Sequence, residues 1–135
     1  MAGHRFFHGA MPLFAVGGTL QVPLSAWAQV SSVHTIELRT SREIADAAAA
    51  NRALSALVDA AMSCPNSTMK LRMRCVCGHS REVVALKAAY THAVRTHPAW
   101  NAPNTAVGYR DPTNGRSVAL VFPNLKRQLE LCPLY

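Results

Sequence analysis

Four cysteines, Cys64, Cys75, Cys77 and Cys132, stand in a chain of 135 residues. An even number in so short a chain is the mark of a small domain held by cystines, provided its compartment is oxidising. The N-terminus supplies that condition. Arg5 precedes an apolar run from about Ala10 to Leu20, and Ala26, Trp27 and Ala28 spell an A-x-A cleavage site. Residues 1–28 therefore predict a secretory signal peptide, with a mature chain beginning at Gln29. Pro12, Gly17, Gly18, Gln21 and Pro23 interrupt the stretch, which falls short of the roughly 20 apolar residues a spanning helix needs. Every later apolar run is broken by Lys, Arg or His, so no transmembrane segment is expected after cleavage.

Residues 29–135 then form one domain, long enough to bury roughly two-thirds of its unfolded surface. No repeat, linker or low-complexity stretch divides them. The formal net charge is +7, and Arg5 is the only charged residue in the first 28. Arg outnumbers Lys and Ala is abundant, the usage of a high-GC bacterial genome, so the expected location is periplasmic or secreted. Asn66, Ser67 and Thr68 form an N-x-T sequon, which matters only in a eukaryotic source.

Val33 to Arg39 reads as a first strand. Thr40 and Glu43 then fit a capping box for a helix running to about Met62, with Ile44, Ala47, Leu54, Leu57, Val58 and Ala61 on one face. From Met69 to Cys77 the apolar residues alternate with Lys70, Arg72 and Arg74, the period of a half-buried strand. Gly78 ends that strand, Ser80 is placed to cap a second helix, and Val83, Leu86, Tyr90 and Val94 form its buried stripe up to Pro98. Thr105 to Arg110 and Ser117 to Phe122 read as two strands around an Asp-Pro-Thr-Asn-Gly turn, and Asn124 to Cys132 closes the chain as a short helical segment. The expected fold class is α+β: a small two-layer domain, with a three- or four-stranded, mostly antiparallel sheet and two helices on one face.

On a strand, Cys75 and Cys77 would point the same way, which disfavours a bond between them. Cys64 is thus expected to pair with one of the two and Cys132 with the other. The competing chemistry is a metal site of Cys64, Cys75, Cys77 and His79, a donor set that copper or zinc would accept. C-x-C is not the usual C-x2-C knuckle, and an oxidising compartment competes for the thiols. A redox-active C-x-x-C at a helix start is likewise missing.

Catalytic signatures are weak. Gly78-His79-Ser80 suggests a nucleophile elbow, but the pattern requires glycine where Glu82 stands. His92 and His97 are five residues apart and do not share a helix face. No cofactor is implied. The basic residues carry the most usable signal. Lys70, Arg72 and Arg74 would project from one strand face with Arg81 close by, a ladder suited to an acidic protein partner or an envelope polyanion. Nucleic acid is disfavoured by export and by the lack of an aromatic platform. The expected function is an exported, disulfide-stabilised binding module without catalysis. The alternative is a small exported enzyme or effector whose site gathers His79, His92, Tyr90 and Tyr109 from distant parts of the chain. A pocket with a histidine and a carboxylate would favour the enzyme, and a flat face carrying Trp100 would favour the binder.

Overall fold

Thr40 begins the first helix as its sequence requires. Its hydroxyl accepts from the Glu43 amide at 3.1 Å, and the Glu43 carboxylate accepts from the Thr40 amide at 3.2 Å. Two amides that the helix cannot satisfy internally are thereby bonded. The computed structural model describes residues 33–134, so the signal-peptide segment 1–28 and the mature start at Gln29 lie outside the described residues. Helix α1, Ser41–Ala61, buries Ala47, Ala50, Leu54, Leu57, Val58 and Ala61. That is the expected stripe with Ala50 added and Ile44 half-buried.

The next element differs from expectation. Met69–Gly78 is helix α2, not a strand. The Thr68 hydroxyl accepts from the Leu71 amide at 3.1 Å, and the buried residues are Arg72, Met73 and Val76, a helical spacing. Met, Lys, Leu and Arg are all strong helix formers. Six of them in succession, from Met69 to Arg74, outweigh an alternation that a ten-residue window leaves ambiguous.

Helix α3, Ser80–Thr96, follows directly and buries Val83, Leu86, Tyr90 and Ala93. Its N-cap is His79, which makes no side-chain cap bond, and Ser80 is the first helical residue rather than the cap. Glu82 sits in the first turn, where the helix dipole favours a negative charge. A 3-10 turn at Pro98–Asn101 buries Trp100. The Trp100 and Tyr90 rings meet Phe122 at 5.3 and 6.0 Å between centroids, which pins helix α4, Phe122–Leu129, to α3.

Strands β1 (His34–Glu37), β2 (Thr105–Arg110) and β3 (Ser117–Leu120) form a three-stranded sheet in the order β1-β2-β3. β2 pairs with β3 antiparallel and with β1 parallel, so the sheet is mixed rather than mostly antiparallel. The cause lies in the connection: β1 reaches β2 through three helices, and a crossover of that length joins parallel neighbours. In the turn, the Asp111 carboxylate accepts from the Thr113 amide and hydroxyl at 2.9 and 2.6 Å, and Gly115 takes the φ of 70° that favours glycine. The described chain is thus α+β, with four helices, a mixed sheet and two cystines.

Alternation along β2 divides its neighbours. Val107 and Tyr109, with Val118 and Leu120 of β3, belong to the main core shared with the helices. Ala106 and Ala119 form a separate small cluster with Val33 and Val121. Each fully buried Leu or Val of the main core contributes about 1.5–3 kcal/mol.

The cystines are Cys64–Cys75 and Cys77–Cys132, with Cα separations of 5.7 and 5.3 Å. The two cysteines of the C-x-C pair do go to different partners, for a reason other than the expected one. Two residues apart on a helix are about 200° apart around the axis, so Cys75 faces the end of α1 while Cys77 faces the C-terminal turn, Cys132–Leu134.

Candidate functional site

Helix α2 rearranges the basic ladder. Lys70 and Arg74, one turn apart, are exposed, as is Arg81 on α3, but Arg72 points inward and is 8 % exposed. Its guanidinium donates to the Cys64 carbonyl at 3.3 Å and toward the Pro65 carbonyl at 3.5 Å. The expected row of three basic side chains on a flat sheet face is therefore not formed. Arg72 instead closes the turn between α1 and α2.

Cys64, Cys75 and His79 do come together, their ligating atoms lying within 4.8 Å of one another. Cys77 is committed to Cys132 instead. With both sulfurs of the cluster in a cystine, no thiolate is available to a metal in this state.

His92 and His97, outside that cluster, meet a carboxylate of α1. Asp46 lies 2.8 Å from His97 Nε2 and 3.3 Å from His92 Nε2, one oxygen to each. A carboxylate only accepts, so both Nε2 atoms carry hydrogen. Burial alone would raise the Asp46 pKa, but the bond from His97 and the charge and bond of His92 outweigh it and hold the carboxyl below its ordinary value. His97 also stacks on Trp100 at 4.1 Å, and Trp100 is buried, so it offers no flat exposed face. Tyr90 donates to Asn101 Oδ1 at 2.8 Å. His79, His92, Tyr90 and Tyr109 thus do not converge: they occupy separate places in the fold.

A pocket of about 450 Å³ lies between α1 and the β2–β3 turn. Ser41, Ile44, Ala45, Ala48 and Arg52 line it from successive turns of α1, and Tyr109, Asp111, Pro112 and Thr113 face them. Ile44, Ala45, Ala48 and Pro112 make an apolar wall beside the polar groups. Tyr109, with no exposed surface, forms the floor, and its hydroxyl is buried without a hydrogen-bond partner. Burial pushes its pKa up to about 12; Asp111 adds to the rise, while Arg52 and Asn51 beside it act the other way. The Asp111 carboxyl is held below its ordinary value by the Thr113 hydroxyl and amide, with a smaller contribution from Arg52. This pocket was not legible in the sequence beyond Tyr109 as a candidate, because its walls come from residues some 60 positions apart. A second pocket of about 310 Å³ lies between α3 and α4, with Lys87, Lys126 and Glu130 at its edge. Neither pocket is lined by Asp46, His92 or His97.

Set against protein-family models, curated proteins and solved structures, the chain matches none. Among the described residues no helix is long and apolar enough to cross a membrane.

Proposed function

We propose that the chain is an exported, two-layer, disulfide-stapled binding module whose pocket between α1 and the β2–β3 turn takes a small ligand with an apolar body and an acceptor or anionic head. One observation carries this reading. The Tyr109 hydroxyl lies buried on the pocket floor without a hydrogen-bond partner. A buried donor left unsatisfied costs about 1–3 kcal/mol, and a ligand acceptor seated there removes that cost. With a pKa near 12 the phenol is fully protonated at neutral pH, hence a hydrogen-bond donor and a poor proton-transfer catalyst. Arg52 supplies positive charge beside it, and Ile44, Ala45 and Ala48 accept the apolar body. Binding without catalysis is the function these groups suit, in keeping with the cystines of an exported domain.

The test is an amide-resolved NMR titration with two probes that combine an apolar body with a carboxylate, phenylacetate and hexanoate. Saturable shifts confined to residues 41–52 and 109–113, weakened by Arg52→Gln and by Tyr109→Phe, are the expected result. Tyr109→Phe keeps the buried ring and removes only the hydroxyl. Absence of shifts with both probes, or an unaltered titration in Arg52→Gln, overturns the proposal.

A further inference from the structure

The Cys64–Cys75 cystine and the His79 ring form a cluster that the pocket does not involve. Cys64 and Cys75 are 11 residues apart in sequence, and their Cα atoms are 5.7 Å apart. His79 comes one turn of α2 beyond Cys75, and its ring nitrogen and the two sulfurs lie within 4.8 Å of one another. Cys75 and His79 are half-buried, whereas Cys64 is 7 % exposed.

We infer that reduction of this cystine opens a zinc site made of Cys64 Sγ, Cys75 Sγ and the His79 imidazole, with a fourth position left for water. Two thiolates and one imidazole are a set zinc accepts, with bonds of about 2.3 Å to sulfur and about 2.0–2.1 Å to nitrogen. In a tetrahedral complex with such bonds the sulfurs stand about 3.7 Å apart. Rotation of the two side chains provides that separation at the existing backbone spacing. Cys64 lies beyond the end of α1 in an irregular turn, where the small adjustment is easily absorbed. The turn itself is held by Arg72, whose guanidinium bonds the Cys64 carbonyl at 3.3 Å.

The exchange is balanced as follows. An external dithiol transfers two electrons and two protons to the cystine and becomes a disulfide itself, leaving Cys64 and Cys75 as thiols. Zinc then binds the two sulfurs and the neutral imidazole, releasing two protons. Oxidation of the bound thiolates by a disulfide reverses both steps and expels the metal. Cys77 and Cys132 supply no ligand, since their sulfurs lie outside the cluster, tying α2 to the C-terminal turn.

The experiment uses the full chain in oxidised and phosphine-reduced forms, titrated anaerobically with Co2+ as a spectroscopic substitute and then with Zn2+. The reduced chain should take up one equivalent of Co2+, with the visible bands of a tetrahedral ion and a thiolate charge-transfer band, and Zn2+ should displace it. The oxidised chain should show neither band. Cys77→Ser/Cys132→Ser should keep the one-equivalent signal, and Cys64→Ser/Cys75→Ser should abolish it. His79→Ala should weaken binding by more than the 10- to 100-fold typical of losing an outer-shell partner. Far-ultraviolet circular dichroism reads folding in parallel. A reduced chain that loses helix but regains it with one equivalent of Zn2+ supports the site, and one that neither stays folded nor binds overturns it. Equal binding by the oxidised chain, by Cys64→Ser/Cys75→Ser, or by His79→Ala at wild-type affinity also overturns it.

Discussion

Arg72 illustrates how one side chain changes role with its element. As the middle of a strand ladder it would be a solvated charge, and its removal would leave stability nearly untouched. On α2 it is buried and donates to the Cys64 carbonyl, with the Pro65 carbonyl also in reach. Hydrogen bonds from charged groups are worth about 1.5–3 kcal/mol each, and a buried carbonyl left bare adds its own cost. Arg72→Ser should therefore destabilise the domain by about 1.5–3 kcal/mol in urea unfolding, whereas Arg74→Ser, at an exposed position, should stay within about 0.5 kcal/mol. Equal effects of the two substitutions would return both residues to the solvated-face role. Asp46 makes a related point. It lies beyond the first turn of α1, where Glu43 is the acid, and its bonds to His92 and His97 arise from the packing of α1 against α3. A contact between residues 46 and 51 positions apart leaves no local trace in sequence.

Elements with a cap and a stripe were legible; the one with a short, mixed pattern was not. α1 carries Thr40, Glu43 and an apolar face over 21 residues, enough turns to separate a period of 3.6 from a period of 2. α3 has its stripe and a Pro98 stop. The ten residues of α2 fit both periods. Propensity, together with Thr68 standing before the run as a possible cap, is the signal that decides for a helix. Because the Thr68 hydroxyl satisfies the Leu71 amide, Thr68→Ala should cost about 1 kcal/mol, read as a lower urea midpoint at an unchanged slope. A midpoint equal to wild type would mean that the cap contributes nothing to α2. The hairpin was legible for its turn chemistry: Asp111 and Asn114 accept from backbone amides within the turn, and Gly115 adopts positive φ. The parallel partner of β2 was not, because register against β1 depends on how the intervening helices pack.

The whole molecule is stapled at α2, whose two cysteines reach the end of α1 and the C-terminus. The Cys77–Cys132 bond spans 55 residues and so removes much conformational freedom from the unfolded chain. Cys77→Ser/Cys132→Ser should lower stability by about 2–5 kcal/mol. Intact mass of material recovered from the periplasm reads both features expected of an exported protein: a chain starting at Gln29 and a mass lighter by four hydrogens than the reduced form. A mass that retains residues 1–28, or four free thiols, contradicts that expectation.

Cysteine number, the A-x-A segment, the Thr40–Glu43 cap and apolar stripe of α1 and the hairpin turn are local features, and the sequence alone determined them; the separate partners of the C-x-C cysteines follow from the helical turn of α2, not from the strand that their alternation predicts. The tertiary structure alone decided which cysteine meets which, that Arg72 turns inward, that Asp46 meets two histidines, and that a pocket forms over the Tyr109 hydroxyl. Each of these depends on distances between residues remote along the chain, set by how α1, α2 and α3 share one core and not by any period or motif that a linear reading can register.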